Sequence, residues 1–294
     1  MKVISLCKDD YANFMYCQHL AMLSVGIQSE CYKTEPHVYK YPEQAAVVKT
    51  RRIIEMRADV YLIFHSNTVL TQYIDKSNNP TIIYVHTGTR FRQSPLRYTE
   101  ETKGNGNIIC LPEFHFHLPN ADYIVGTIDT RIIPQRPATS NRFAHYPSNA
   151  EVKGTTIIEK VCRNLGVNLL TGPNTNYQSH LTRIEKCDIY IEMFKTEQNG
   201  KNYGSFGMTA LEAAAMGKVV ITNNTTGQDL YEQTYGKCEL IICNTEQELS
   251  DTIKYYKDAP TTLKGRSTLE WYKQNHSFEA TGTRFKNAIQ RHAG

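Results

Sequence analysis

Short apolar strands alternate with helix-forming segments along nearly the whole chain, and this alternation restricts the fold more than any other feature. Residues 3–6, 60–64 and 219–222 have the length and β-branched composition of buried strands. Residues 13–25 repeat apolar side chains near a 3.6-residue period, as an amphipathic helix does. Because repeated β–α units form a parallel sheet covered by helices, we predict an α/β protein.

The alternation is interrupted once, at about residues 130–146, where Pro134, Pro137 and Pro147 favour a connection between domains. We therefore predict one domain over residues 1–143 and a second over 144–294. A helical tail over about 265–292 ends the second domain and could pack back on the first. Further helices are predicted at 42–57, 68–75, 155–165, 177–186 and 245–257, and further strands at 81–85, 108–111, 123–125, 167–170, 188–191 and 240–243.

Composition fits a soluble cytoplasmic protein. The 294 residues are 40% hydrophobic and 21% charged, and no apolar run approaches the ~20 residues that span a bilayer. The N-terminal segment has only a short apolar core and predicts a strand, not a signal peptide. Eight cysteines are scattered without a Cys-x-x-Cys pair, which favours reduced, buried thiols over disulfides or zinc. The net charge of +4 permits an anionic partner without requiring one.

A flexible loop leads into a helix in the second half of the chain and favours a phosphate site. Gly204, Ser205 and Gly207 precede a helix predicted over residues 208–216, which Gly217 ends. Glycine lets backbone approach a ligand closely, and a helix N-terminus offers free N–H groups to a phosphate. Glu212 lies about one turn further on, within reach of a group attached to that phosphate. The segment suits a nucleoside diphosphate and its sugar.

Three ordered segments carry a family resemblance: residues 146–155, which close a strand and open a helix; residues 169–174, a strand and turn; and the loop–helix–strand of 203–224. Together they resemble the donor half of GT-B glycosyltransferases, in particular the family 4 group. The resemblance implies two Rossmann-like domains facing a cleft, and transfer of a sugar to a hydroxyl with retention at the anomeric carbon. It implies a nucleoside-diphosphate sugar as co-substrate, most simply a UDP-sugar, and no cofactor or metal.

The donor residues are carried over from two motifs of that family. The lysine of its P-x-R-x-x-K-G segment corresponds to Lys153, which would bind the diphosphate. The second glutamate of its E-x7-E motif corresponds to Glu212, which would bind the ribose. The resemblance assigns the donor loop and helix start to Gly204, Ser205, Phe206, Gly207, Met208 and Thr209.

Two positions depart from these motifs. Ala150 stands at the family's arginine, and Gly204 stands at its first glutamate. Arg142, Lys195 or Lys201 could replace the missing cation. The missing glutamate suggests a donor sugar that lacks a hydroxyl, or a pentose; a degenerate, inactive relative is the other interpretation.

The first half offers candidates for the acceptor side. Residues 84–92 resemble the family's strand-end H-G-S-D-x-R segment, with His86 one place early and Arg90 in place of the aspartate. We predict catalytic roles for His86 and for Asp10 (or Asp9), which follow predicted strands, and acceptor binding by Arg90 and Arg92. The ordinary alternatives are a structural histidine, a helix-capping acid and solvated surface arginines.

A histidine pair suggests a metal without completing a site. His115 and His117 alternate across a strand-like stretch and would share one face, but no third ligand is evident, so we predict no metal.

Composition suggests a class of acceptor. Richness in Tyr, Asn and Lys is typical of many phage proteins, and makes a hydroxymethylated base in phage DNA a candidate, with action in the host cytoplasm. The alternatives are a glycan- or lipid-directed glycosyltransferase, a sugar-nucleotide 2-epimerase, and a non-catalytic sugar-nucleotide-binding module.

Overall fold

The chain forms two compact units in a computed structural model. The structure describes residues 1–198 and 200–294, without the side chains of Gln198 and Lys201. The first unit comprises Met1–Ile128 together with His276–Gly294, and the second comprises Asp129–Asn275. The division falls at 128/129 and not at 143/144 because the connection binds the second unit. Thr139 N, Ser140 Oγ and Arg142 Nε all donate to the Asp188 carboxylate, at 3.0, 2.6 and 2.8 Å.

The first unit contains a seven-stranded parallel sheet. Its strands are Lys2–Cys7 (β1), Gln28–Lys33 (β2), Ala46–Val47 (β3), Val60–Phe64 (β4), Thr81–His86 (β5), Gly106–Ile109 (β6) and Asp122–Tyr123 (β7). They lie in the order β3-β2-β1-β4-β5-β6-β7. The order reverses direction between β1 and β4, and ligands of open α/β sheets bind outside the carboxyl ends of the strands at this switch point.

The helices within Met1–Ile128 are Phe14–Ser24 (α1), Thr50–Ile53 (α2), Gly88–Gln93 (α3) and Pro95–Glu101 (α4). Short 3₁₀ helices occupy Tyr11–Asn13, Thr68–Tyr73 and Pro112–Phe116. One core cluster joins Ile4, Leu6, Tyr61 and Ile63 of the central strands to Ile53 and Leu70.

The second unit has a five-stranded parallel sheet of Phe143–Ala144 (β8), Leu169–Leu170 (β9), Ile189–Ile191 (β10), Val219–Thr222 (β13) and Ile241–Ile242 (β14). Glu197–Gln198 (β11) and Lys201–Asn202 (β12) form a separate antiparallel pair. The sheet order β14-β13-β10-β8-β9 places its switch point between β8 and β10. The helices are Ala150–Lys153 (α5), Thr155–Asn164 (α6), Tyr177–Glu185 (α7), Met208–Ala215 (α8), Gln228–Tyr235 (α9), Glu246–Asp258 (α10) and Thr262–His276 (α11).

The predicted C-terminal tail consists of two helices, not one. Ser277 separates α11 from Phe278–Ala293 (α12), and its hydroxyl accepts from Ala280 N at 3.2 Å as an N-cap. Helix α12 packs against α1. The contact is close, since a Cβ on Gly282 would lie 2.1 Å from the carbonyl oxygen of Ala21.

The α/β class predicted from the alternation is confirmed, but two local predictions are wrong. Residues 42–57 do not form one helix, because Ala46 and Val47 pair with Tyr32 and Lys33 as an edge strand and only the short α2 follows. Tertiary strand pairing overrides local helix propensity here. Residues 115–117 are not extended, because Pro112 begins a 3₁₀ helix that contains His115.

Across the described parts of the chain, the helices are all too short or too polar to cross a membrane.

Candidate functional sites

A buried ion pair occupies the switch point of the second sheet. Lys153 Nζ binds the carboxylate of Glu192, the residue that follows β10. The Glu192 side chain is 1% exposed and that of Lys153 is 19% exposed. Thr222 Oγ1 donates to the other Glu192 oxygen at 3.3 Å. The pair therefore presents one partly accessible ammonium group that is held in place by a buried carboxylate.

Local backbone explains why Lys153 reaches this position. Asn149 caps α5 by accepting from Val152 N at 3.0 Å, and Gly154 ends it at φ +68°. A Cβ on Gly154 would lie 1.7 Å from the carbonyl oxygen of Phe194. Only glycine tolerates both this left-handed backbone and this close approach. The turn therefore packs α5 directly against the chain that leaves β10, beside Glu192.

The predicted donor loop reaches the same ion pair. A Cβ placed on Gly207 would lie 3.1 Å from Glu192 Oε1 and 3.6 Å from Lys153 Nζ. Met208 and Thr209 follow as the first two residues of α8, and both are partly exposed. The structure thus brings together Lys153, the loop and a helix N-terminus, which suits an anionic ligand.

The amide of Asn223 holds the other end of the loop. Its Nδ2 donates to the carbonyl oxygens of Lys195 and Tyr203 at 2.8 and 3.0 Å, and its Oδ1 accepts from Lys195 N at 3.1 Å. A Cβ on Gly204, whose φ is +131°, would lie 1.9 Å from this Nδ2. The departure at Gly204 therefore has a physical reason, since a glutamate there would displace Asn223 and strain the backbone.

Phe206 anchors the loop in an aromatic cluster. Its ring lies edge-on to Tyr231 and Trp271, with centroids 5.3 and 5.9 Å apart, and the residue is 4% exposed. Its neighbour Ser205 is partly exposed. Phe206 thus fixes the loop, whereas Ser205 and the backbone remain accessible.

Glu212 is buried on α8 and has a protein partner. Its Oε2 lies 3.5 Å from Nε2 of His180 on α7, and its side chain is 7% exposed. His180 is absent from the sequence-based predictions. The role of Glu212 toward a ribose stays a prediction.

The two described candidates for the missing cation, Arg142 and Lys195, lie at different edges of the sheet. Arg142 precedes β8 and binds Asp188 at the amino edge of the sheet, away from the carboxyl ends where ligands of such sheets bind. Lys195 follows β10, and its Nζ lies 3.9 Å from Glu151 of α5. The side chain of Lys201 lies outside the described residues. Lys195 is thus the described candidate on the same edge as Lys153.

A second buried pair occupies the switch point of the first sheet. His65, the residue after β4, places Nε2 3.1 Å from Oδ1 of Asp10, which follows β1. The residues are 2% and 1% exposed. Asp10 also accepts from the backbone N–H groups of Met15 and Tyr16 at 2.8 and 3.0 Å, so it caps α1 as well. His65 Nδ1 lies 2.5 Å from Thr87 Oγ1. The bonds to Met15 and Tyr16 agree with the interpretation of Asp10 as a capping acid, and its catalytic role stays a prediction.

His86 does not join this pair. It is fully buried; Nδ1 lies 3.0 Å from Ser66 Oγ and Nε2 lies 2.9 Å from Asn107 Oδ1. Burial lowers its pKa to about 4, although the bond to Asn107 acts in the opposite direction. The imidazole is neutral near pH 7 and has a structural partner on each nitrogen. Its catalytic role stays a prediction.

The two predicted acceptor-binding arginines differ in their surroundings. Arg90 binds the side chain of Asn67 and lies 3.7 Å from Asp9, beside His65, whose carbonyl oxygen it reaches at 3.4 Å. Arg92 donates twice to Glu113, at 2.9 and 2.6 Å. Of the two, Arg90 lies beside the buried His65–Asp10 pair.

Sequence reasoning missed Glu192, His65 and Thr87. Each is the first residue after a buried strand: β10, β4 and β5 respectively. Position was therefore an available signal, because residues at the carboxyl ends of parallel strands meet at one edge of the sheet. The sequence does not show which side chains pair at that edge, because pairing depends on strand order. Glu192 pairs with Lys153, and His65 with Asp10 and Thr87.

No protein-family model and no curated protein sequence matches this chain. Solved structures do match it over their full length. The Anabaena protein HepE, solved in complex with UDP and glucose, has a TM-score of 0.67 at 11% identity and covers 99% of this chain and 100% of its own. AviGT4, a glycosyltransferase involved in avilamycin A biosynthesis, has a TM-score of 0.65 at 12% identity, with 100% and 98% covered.

The UDP-GlcNAc 2-epimerase from Neisseria meningitidis, bound to UDP-GlcNAc, has a lower TM-score of 0.53 at 11% identity, with 99% and 100% covered. At such identities the similarity concerns the fold. The similarity extends from end to end of this chain and so includes both parallel sheets. This chain has the GT-B fold of the glycosyltransferases.

Proposed function

We propose that this protein is a glycosyltransferase that moves a sugar from a nucleoside-diphosphate sugar, most simply a UDP-sugar, to an acceptor hydroxyl. The observation that carries the proposal is the meeting of Lys153, Gly207 and the N-terminus of α8 at the switch point of the second sheet. An ammonium group and free N–H groups would stabilise the charge that develops on the departing diphosphate. No metal or cofactor belongs to this proposal.

Glu212 would bind the ribose in the proposed complex. Its carboxylate is buried beside His180 and can accept hydrogen bonds from a diol. Ser205, Met208 and Thr209 would contact the diphosphate, and Gly204 would leave the sugar without a carboxylate partner. A donor sugar that lacks a hydroxyl, or a pentose, fits that difference. Retention at the anomeric carbon is part of the proposal and is read from the anomeric coupling of the product by NMR.

The donor half is tested by thermal shift with UDP, ADP, GDP and CDP and with their glucose and pentose conjugates. A ligand bound only by the native state raises the melting temperature. We expect UDP and a UDP-sugar to raise it and the Lys153→Met variant to respond least. No shift with any of these probes would overturn donor binding.

For the acceptor we propose a hydroxymethylated base in DNA, with the protein acting in the cytoplasm of a phage host. Tyr11 is half exposed and lies edge-on to His65 and His37, with centroids 5.7 and 5.9 Å apart. His37 continues this aromatic cluster toward Tyr39 and Tyr41. Such rings can stack a base that has left the duplex, and Arg90 beside them can meet a phosphate.

Radiolabelled sugar transfer to duplex DNA with and without hydroxymethylcytosine tests this acceptor. Transfer only to modified DNA is the expected result. Transfer to a glycan or lipid acceptor, with none to DNA, would replace it.

The similarity to the 2-epimerase supports one alternative activity, epimerisation of a sugar nucleotide. A UDP-sugar can be used to test this activity as well. Incubation with UDP-GlcNAc and no acceptor, followed by product analysis, separates the two. An epimerised sugar nucleotide would favour the epimerase, whereas intact donor that is consumed only when acceptor is added favours the transferase.

A further inference from the structure

Three polar groups form a chain that runs from the surface into the switch point of the first sheet. Thr87 follows β5 and is partly exposed, whereas His65 and Asp10 are buried. Thr87 Oγ1 lies 2.5 Å from His65 Nδ1, and His65 Nε2 lies 3.1 Å from Asp10 Oδ1. The three residues come from the ends of β5, β4 and β1, which are neighbours at this edge.

The hydrogen-bond partners determine the direction of the chain. An ionised carboxylate only accepts, so Nε2 of His65 must carry the proton that it shares with Asp10. In the neutral imidazole Nδ1 is then an acceptor, and Thr87 must donate its hydroxyl proton to it. The lone pairs of Thr87 Oγ1 are thereby left to accept a proton from outside.

Thr87 occupies a helix N-cap, where a threonine hydroxyl normally accepts a hydrogen bond from a backbone N–H group of the helix. It is the N-cap residue of α3, yet its side chain accepts no hydrogen bond from that helix. Threonine at an N-cap usually does so and thereby stabilises the helix. Here the hydroxyl is directed to the imidazole instead.

The backbone at His65 is also unusual. His65 and Ser66 have φ of +57° and +55°, in the left-handed region that non-glycine residues rarely adopt. Such conformations are strained and occur preferentially at functional sites. They direct the His65 ring between Asp10 and Thr87.

Metal binding is the alternative function of this site. Cys7, Asp10 and His65 have potential ligand atoms within 4.8 Å of one another. However, Oδ1 and Oδ2 of Asp10 already accept from Met15 N, Tyr16 N and His65. Burial also raises the pKa of the Cys7 thiol well above its usual value, with Asp10 adding to the effect, so the thiol stays protonated. The existing hydrogen bonds favour proton transfer over metal binding.

We propose that Thr87 is a catalytic residue that takes the proton of the acceptor hydroxyl, and that His65 and Asp10 are positioning residues that receive and stabilise it. This inference rests on the proposed glycosyl transfer. The acceptor oxygen bonds to the anomeric carbon on the face from which the diphosphate leaves, so the configuration is retained. The bond from that carbon to the diphosphate oxygen breaks, and its electron pair leaves with the diphosphate. The acceptor's proton passes to Thr87 Oγ1 while the proton of Thr87 passes to His65 Nδ1. The resulting imidazolium is stabilised by the Asp10 carboxylate.

Thr87→Val removes the hydroxyl with little change in shape, and Thr87→Ser keeps it. In the sugar-transfer assay with hydroxymethylcytosine DNA, we expect kcat to fall about 100-fold or more in Thr87→Val, the usual contribution of general acid–base catalysis. Thr87→Ser should retain kcat within about tenfold, and the donor KM should change little in either variant. Thr99→Val is the matched control, because the Thr99 hydroxyl bonds only its own helix at Pro95 O among the contacts described.

Nitrogen-15 NMR of the histidine side chains supplies a readout without activity, with His65→Gln used to assign the signal. We expect a neutral ring protonated on Nε2, and a changed Nδ1 shift in Thr87→Val. A ring protonated on Nδ1 would overturn the proposal, because Thr87 could not then donate to it.

The two proposals fail in different ways. If the wild type transfers sugar and Thr87→Val keeps its kcat, the departing diphosphate or another group takes the proton and the role of Thr87 is overturned alone. If the wild type transfers no sugar to any acceptor, the proposed function is overturned and the role of Thr87 with it.

Discussion

The switch points of the two sheets have the same plan and different chemistry. Each places a buried carboxylate beside a basic side chain: Asp10 with His65 in the first unit, and Glu192 with Lys153 in the second. Imidazole can accept a proton on one ring nitrogen while it donates from the other, whereas an ammonium group offers only donors. The first place is therefore suited to moving a proton and the second to holding a fixed charge against an anion.

Surroundings reinforce this contrast. Asp10 is stabilised by backbone N–H groups at the start of α1, whereas Glu192 is held by the Thr222 hydroxyl and by Lys153 itself. Substitution of the basic side chain should therefore lower the stability of the second unit, where Lys153 is lost, more than that of the first, where His65 is lost. Three substitutions and one pH titration test the comparison, and the substitutions are given in order of decreasing expected effect on ligand binding.

Lys153→Met should have the largest effect. It leaves the buried Glu192 carboxylate without its cation, which typically costs about 3–5 kcal/mol of stability. It also removes a charge-assisted contact to the donor, so affinity for UDP should fall roughly 10- to 150-fold, equivalent to about 1.5–3 kcal/mol. Urea denaturation and calorimetric titration with UDP measure the two effects.

The double variant Lys153→Met/Glu192→Gln is the control for this experiment. It should recover most of the stability without recovering UDP affinity. Recovery of both would show that Lys153 acts only as the partner of Glu192.

Gly204→Ala should weaken the donor loop. The added Cβ would meet Asn223 Nδ2 at 1.9 Å and would occupy a backbone with φ +131°. Displacement of Asn223 should lower UDP affinity by about tenfold, on the order of one lost hydrogen-bonded contact. Gly236→Ala is the matched control, since Gly236 also has a positive φ of +77° but no atom within 4 Å of an added Cβ. Equal effects of the two substitutions on UDP affinity would contradict this account.

Acid should destabilise each unit, in part through a buried histidine: His86 in the first unit, which also contains the buried His276, and His145 in the second. Burial lowers the pKa of His86 and of His145 to about 4, against opposing hydrogen bonds to Asn107 and to Ile191 O. The unfolded chain therefore binds more protons between about pH 6.5 and pH 4. Stability is complete above about pH 6.5 and decreases as the pH falls, by about 1–3 kcal/mol for each histidine. Urea denaturation at pH 7.5 and pH 5 measures the loss.

Substitution by glutamine, in His86→Gln and His145→Gln separately, should flatten this dependence. An unchanged slope in both variants would mean that other groups cause the acid sensitivity.

Arg90→Ala should have the smallest effect, confined to the acceptor. It should raise the KM for hydroxymethylcytosine DNA by a few-fold and reduce the salt dependence of DNA binding by about one ion. Lys103→Ala is a charge-matched control, because the Lys103 side chain is 75% exposed and pairs with Glu100 from the turn that follows α4. Identical salt slopes in both variants would remove Arg90 from the acceptor site.

Features set by residues close in sequence could be predicted, whereas pairs of residues far apart in sequence could not. Residues 60–64 and 219–222 were predicted at their observed bounds because buried β-branched runs specify strands locally. Lys153, Gly207 and α8 were predicted together because their spacing along the chain carries a family resemblance. By contrast, His65 is 55 residues from Asp10 and Glu192 is 39 residues from Lys153. Such pairs depend on which strands are neighbours, and local pattern does not encode strand order.

The aromatic anchor of the donor loop gives the protein its own optical reporter. Trp271 is the single tryptophan of the chain, and its ring lies 5.9 Å from that of Phe206 and 6.1 Å from that of Tyr231. Indole emission depends on the polarity and packing around the ring. Any rearrangement of the loop on ligand binding should therefore change the intrinsic fluorescence of one residue, and stopped-flow mixing could follow it without a label.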